Sequence, residues 1–89
     1  MTVTTSKGQA FRAQWMYQGP LGELRLQLED PRRLPDIAAD FDGCDRFLRE
    51  SDEEGNLEFV GYTALTGILR PAGATGGVVQ IILEKPERS

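Results

Sequence analysis

Two stretches near the start of the chain alternate apolar and polar side chains with a period of two, which predicts β-strands with one buried face. In the first stretch, the predicted inward-facing residues are Phe11, Ala13, Trp15 and Tyr17. In the second stretch, they are Leu24, Leu26 and Leu28. Residues 18–22, with the sequence QGPLG, predict a turn between the two strands. We therefore expect a hairpin in which the leucines face the aromatic residues.

The spacing of apolar residues changes to three and four in residues 34–41, which predicts a short helix. The apolar positions are Leu34, Ile37, Ala38 and Phe41. Pro35 suits the first helical turn, Asp36 suits the positive N-terminal end, and Gly43 suits a helix end. A helix of about two turns is not stable alone, so its apolar stripe must pack on a sheet. An irregular apolar crossover is the alternative interpretation.

A second half rich in strands follows the helix. A strand is predicted around Phe47, a turn at residues 52–56, and then a long stretch of low charge at 57–69. Neither alternating face of this stretch is polar, which is typical of a strand covered on both sides. Gly61 and Gly67 lie on the same face, and glycine inside a strand marks a bulge or a bend. We expect the strand to bend at these glycines and to pair with different strands at its two ends.

The glycine-rich residues 70–77 predict a flexible loop, and residues 78–83 predict a final strand with Val78 and Ile82 on its second face. The expected element order is therefore β-β-α-β-β-β. The fold class is α+β and mostly β: a curled antiparallel sheet or small, partly open barrel of about five strands with one short helix. We expect residues 1–89 to form a single domain. Residues 1–8 are expected to be frayed or to form a short edge strand around Val3, and residues 86–89 to be frayed.

Composition narrows the functional classes. The net charge is −4, from 14 acidic and 10 basic residues, and the longest basic run is Pro31-Arg32-Arg33. We therefore expect no nucleic-acid partner. No apolar run approaches about 18 residues, and the first residues lack the features of a signal peptide. These observations predict no membrane partner and a cytoplasmic protein. Cys44 is the only cysteine, which predicts a small buried apolar side chain and no intrachain disulfide.

The chain contains no histidine, which removes the commonest general base and the commonest metal ligand. The DFDGCD sequence at 40–45 matches part of a calcium loop, but Ala38 and Arg49 then occupy positions that need oxygen ligands. The glycines at 73–77 precede a strand, whereas phosphate-binding loops precede a helix. The acidic residues at 50–54 are interpreted as a solvated hairpin tip. We expect no catalytic residues, no metal and no cofactor.

Four aromatic side chains are the candidate contact residues: Trp15, Tyr17, Phe59 and Tyr62. On alternating strands such residues are usually part of the core. The alternative interpretation is a pocket at the glycine bend, lined by all four and able to hold a small ligand or a peptide.

Three segments carry a resemblance. They are GELRLQLEDPRRLPDIAADFDGCDRF, ESDEEGNLEFVGYTALTGILR and VVQIILEK. In this order they are similar to a group of small uncharacterised phage- and prophage-encoded proteins of gut Firmicutes, encoded near structural genes. The resemblance covers about residues 15 to 85. It implies a phage-derived context, and it carries no activity and no functional residues.

The expected function is that of a non-enzymatic structural or assembly protein of phage origin that acts through protein–protein contacts. The partner would be another protein or a second copy of the chain. Contacts would be made by exposed strand edges and by the loops at 50–56 and 71–77. The protein would be cytoplasmic or incorporated into a phage particle. The alternative function is a small barrel-like module that binds a small ligand or a peptide.

Overall fold

The computed structural model describes residues 1–64, 68–70 and 77–85. The strands are β1 Thr2–Thr5, β2 Ala10–Gln18, β3 Leu24–Glu29, β4 Arg46–Glu50, β5 Leu57–Val60, β6 Ile68–Leu69 and β7 Val78–Leu83, and the helix is α1 Leu34–Phe41. They form one antiparallel sheet in the order β5-β4-β1-β2-β3-β7-β6, which is not closed into a barrel within the described residues. The predicted fold class, α+β and mostly β with one short helix, is confirmed.

The first residues of the chain form a strand in the middle of the sheet. β1 pairs with β2 on one side and with β4 on the other. Val3 and Thr5 are buried. β-branched residues favour strands, and here both neighbouring strands supply hydrogen bonds along β1. The prediction that residues 1–8 are frayed, or form an edge strand, is therefore wrong.

Residues 57–69 do not form one straight strand. β5 pairs with β4 at one end of the sheet, whereas β6 pairs with β7 at the other end. Between them, Thr63 forms an isolated bridge with Glu84. Gly61 directly follows β5 and has a φ of 85°, in the left-handed region that favours glycine. The predicted bend at Gly61 is confirmed, and Gly67 lies outside the described residues.

The described sheet has seven strands, whereas the sequence pattern predicts about five. Two findings account for the difference. The N-terminal residues add β1, and the long apolar stretch contributes two strands, β5 and β6, instead of one.

The core lies between one face of the sheet and α1. Ile37 and Phe41 of the helix are buried, and the Phe41 ring lies 4.8 Å from that of Phe11 and 5.8 Å from that of Phe47. The predicted helical stripe is narrower than expected, because Ala38 is exposed. The remaining buried apolar residues are Val3, Ala13, Met16, Leu24, Leu26, Leu28, Cys44, Tyr62, Val79, Ile81 and Leu83.

An ion-pair cluster holds the connection between β3 and α1. The backbone N–H and the side chain of Arg32 donate to the Asp30 carboxylate at 2.8–3.1 Å, and Arg32 also lies 2.8 Å from Asp40. These hydrogen bonds from Arg32 hold the pKa of Asp30 below its ordinary value. The Asp30 N–H donates to the carbonyl of Gly77, which ties the connection to the start of β7. Arg32, from the longest basic run of the sequence, is thus paired with two carboxylates.

Candidate functional site

A shift in the pairing of β2 with β3 decides where the aromatic residues of β2 lie. Ala13 pairs with Leu28 and Trp15 pairs with Gln27, so the strands change register between Ala13 and Trp15. An extra residue in one strand reverses the inward and outward positions that follow it. Met16 is accordingly buried beside Leu26, while Tyr17 is 51% exposed.

The prediction that Trp15 and Tyr17 face the core is therefore wrong. Phe11 and Ala13 are buried as expected, because they precede the shift. The three leucines of β3 are also buried, but their partners across the hairpin differ from the predicted aromatic residues. The observed partners are Ala13, Met16 and Gln18.

The displaced aromatic residues are part of an outward surface on four neighbouring strands. Trp15 is in register with Gln27, Gln80 and Leu69, and Tyr17 is in register with Arg25 and Ile82. The rings of Trp15 and Tyr17 lie 5.2 Å apart. A hollow of about 270 Å³ lies on this surface. We call the surface the aromatic face and define it by Trp15, Tyr17, Arg25, Leu69, Gln80 and Ile82.

Hydrogen-bonded polar side chains border the aromatic face. Gln80 donates to Gln27 at 3.0 Å, Gln27 donates to Gln14, and Gln14 donates to Glu29 at 2.8 Å. This row crosses three strands and fixes the orientation of each amide in it. Arg25 lies 3.4 Å from Glu23 and its side chain is 42% exposed. The surface therefore combines two aromatic rings, two aliphatic side chains and one cation with an ordered polar border.

The other two candidate aromatic residues have structural roles. Tyr62 is 7% exposed, and its hydroxyl donates to the carbonyl of Gly22 and accepts from Gln18, both at 3.2 Å. It thereby ties the segment after the Gly61 bend to the turn between β2 and β3. Phe59 packs edge-to-face on Tyr62 at 6.0 Å and is half-buried against the core. The predicted pocket lined by all four aromatic residues is therefore wrong, since they lie on two separate surfaces.

The charged candidates occupy exposed positions. Asp52, Glu53 and Glu54 at the tip between β4 and β5 are exposed, and Glu54 lies 3.3 Å from Arg49. This agrees with the predicted solvated tip. Among the described residues, no group of three or more histidine, cysteine, aspartate or glutamate side chains could hold a metal ion. Cys44 is 1% exposed, as predicted for a buried apolar side chain, and its thiol donates to the carbonyl of Asp40.

The sequence patterns missed four residues of the aromatic face: Arg25, Leu69, Gln80 and Ile82. One usable signal existed, because Ile82 lies on the second face of a strand with apolar residues on both faces. A two-sided apolar strand indicates either a covering layer or an exposed apolar surface. The loop at 71–77, a predicted contact element, lies outside the described residues except for Gly77.

Comparison with known protein families, with curated proteins and with solved structures gave no match for this chain. Within the described residues, no helix is both long enough and apolar enough to span a membrane.

Proposed function

We propose that this chain is a non-enzymatic structural or assembly protein of phage origin, and that it acts through protein–protein contacts made by the aromatic face. Tyr17 and Leu69 are each 51% exposed and share this surface with the partly buried Trp15 and Ile82. Grouped exposed apolar residues mark interaction surfaces, and tryptophan, tyrosine and arginine are enriched at their centres. The grouping of these side chains on one outer face is the observation that carries the proposal.

The shape of the surface supports a protein partner. Four neighbouring strands present it, so its backbone is held by ladder hydrogen bonds and little ordering is needed on binding. The partner would bring an apolar side chain to the hollow and an acidic group to Arg25. Cytoplasmic location, with later incorporation into a phage particle, belongs to the same proposal, as does a protein partner in place of nucleic acid or membrane.

The second candidate function is binding of a small ligand or a short peptide. It is favoured by the hollow itself, whose volume of about 270 Å³ is just below the usual range for ligand sites. In this alternative the aromatic rings of Trp15 and Tyr17 would stack on the ligand, and Gln80 and Arg25 would supply polar contacts.

Affinity capture with a double variant tests the proposed function. Cells that carry the prophage would be induced, and the tagged parent protein would be compared with the Trp15→Ser/Tyr17→Ser variant. We expect the parent to enrich a capsid, connector or tail protein, and the double variant to lose at least about tenfold of that enrichment, since two central aromatic contacts are each worth about 1 kcal/mol or more.

The matched control is Leu21→Ser, which removes an apolar side chain that is 90% exposed and lies outside the aromatic face. This variant should capture the same protein as the parent. Equal capture by the double variant would show that contacts are made elsewhere. Recovery of a metabolite or a short peptide that depends on Trp15 and Tyr17 would favour the second candidate function.

A further inference from the structure

The described sheet ends at two strands, β5 and β6. β6 consists of two residues, and the chain is not described continuously on either side of it. β5 has four residues, and the chain is described continuously on both sides of it. Leu57 and Val60 of β5 are 47% and 53% exposed, and among the described residues β5 pairs with β4 alone. β5 therefore offers an open edge for another strand.

The hydrogen-bond pattern shows which backbone groups of β5 point outward. Gly61 donates its N–H to the carbonyl of Asp45 at 2.8 Å, and Val60 is in register with Arg46. Pairs that exchange hydrogen bonds alternate with pairs that do not in an antiparallel ladder. Leu57 and Phe59 therefore bond to β4. The N–H and C=O groups of Glu58 and Val60 point away from β4, toward the open edge.

We propose that a second copy of this chain pairs with β5 by adding its own β5 antiparallel, with Phe59 opposite the partner's Phe59 at the two-fold axis. A two-fold axis perpendicular to the sheet keeps the inner faces continuous, so inward residues must oppose inward residues. Phe59 is inward, since it packs against the core. The residue at the two-fold axis is the centre of the pairing. Only two residues of β5 lie away from its ends and can be that centre, Glu58 and Phe59.

Two arguments favour the Phe59 centre. It pairs Glu58 with the partner's Val60, so every outward backbone group of both residues finds a ladder partner. The Glu58 centre instead pairs Val60 with the partner's Asn56, which precedes β5. That centre also places two Glu58 side chains directly opposite each other, and like charges in this position are destabilising.

The side chains also fit the Phe59 centre. The two Phe59 rings would meet at a pair without ladder bonds, where side chains are closest, and aromatic pairs stabilise such positions. Leu57 would lie opposite the partner's Gly61, which has no side chain, so the exposed leucine is accommodated. Each copy carries a net charge of −4, so added salt should favour the pair by screening the repulsion between copies.

Disulfide trapping tests both the pairing and its register. Glu58 and Val60 are exposed, so cysteine at either position leaves the core intact, and the native Cys44 is buried. An equal mixture of Glu58→Cys and Val60→Cys proteins would be oxidised at about 1 mM. We expect one main product, the mixed disulfide of the two variants, identified by its mass. Each variant alone should form no disulfide dimer, because the Cα atoms of its two equivalent cysteines would be about 8 Å apart, beyond the reach of a disulfide.

Two results would overturn the proposal. A disulfide dimer from Glu58→Cys alone would indicate the Glu58 centre, and no disulfide above the level of random collision in the mixture would show that β5 edges do not pair. Sedimentation of the parent provides a second measurement, with an expected rise from 9.9 kDa toward twice that mass at high concentration. Val60→Pro removes an outward N–H and should stay at the lower mass, whereas Val60→Thr should behave as the parent. The aromatic face takes no part in this pairing, so its capture experiment stands or fails separately.

Discussion

Alanine at Gly77 should lower the free energy of unfolding by about 3 kcal/mol or more, which is the largest effect we expect from a single methyl group in this protein. Gly77 has a φ of 78°, where an L-residue is strained. An added Cβ would also lie 2.9 Å from the Cα of Pro31 and 3.1 Å from the backbone carbon of Asp30. These neighbours are backbone atoms, so relief requires movement of the chain itself.

The backbone near Pro31 is held from several directions and cannot yield easily. The Asp30 N–H donates to the Gly77 carbonyl at 2.8 Å, and its carboxylate holds Arg32. Arg70 donates to the carbonyls of Asp30 and Val78 at 3.3–3.4 Å. A shift at Gly77 would disturb all of these bonds together, so the strain cannot be released at one point.

Gly8→Ala is the matched control for Gly77→Ala. Gly8 has a φ of 84°, but no atom lies within 4 Å of the position of an added Cβ. This variant should therefore lose only the conformational cost of about 1–2 kcal/mol. Thermal and denaturant unfolding would measure the stability of both variants. For a domain of this size, the melting temperature of Gly77→Ala should lie more than about 12 °C below that of the parent. Equal losses in the two variants would contradict the close approach of Gly77 to Pro31.

Valine at Gly61 should destabilise the protein by about 2–3 kcal/mol. The glycine pattern of the sequence alone favours one reason for this loss, namely that a branched Cβ would obstruct the bend. The structure gives a different reason, because the nearest atom to an added Cβ is Lys85 Cε at an ordinary contact distance of 3.5 Å. The cost comes from the φ of 85°, which a β-branched residue adopts only as an outlier.

Two variants separate these causes for Gly61. Asparagine tolerates the left-handed region, so Gly61→Asn should lose clearly less stability than Gly61→Val although its side chain is of similar size. Both would be measured by denaturant unfolding at equilibrium. A loss for asparagine as large as that for valine would show that space at the bend, and not the backbone angle, sets the cost.

Two elements, β3 and α1, follow from local patterns of side chains. The alternation of Leu24, Leu26 and Leu28 is unbroken in β3, and all three side chains are buried. The helical spacing of Ile37 and Phe41 likewise places both residues in the core. In these elements, the side-chain period agrees with the observed burial, so the sequence alone is enough to predict which face is buried.

The aromatic face could not be predicted, because it depends on an interruption of the pattern. Residues 11–17 alternate without a break in the sequence, and the register shift after Ala13 leaves no glycine or proline as a signal. The shift becomes necessary only when β2 must pair with β1 at one end and with β3 at the other. The pairing of β2 with two different strands is set by the whole sheet, so it cannot be predicted from the few residues around Ala13.

The register shift in β2 places Trp15 outside the core, on the aromatic face. Urea unfolding of Trp15→Ala beside the parent measures how much Trp15 contributes to the free energy of unfolding. We expect a loss of about 1–2 kcal/mol, because Trp15 is only partly buried and lies outside the core cluster, with its ring beside that of Tyr17. A loss of about 3–5 kcal/mol, as for a buried tryptophan, would place Trp15 in the core and contradict the account.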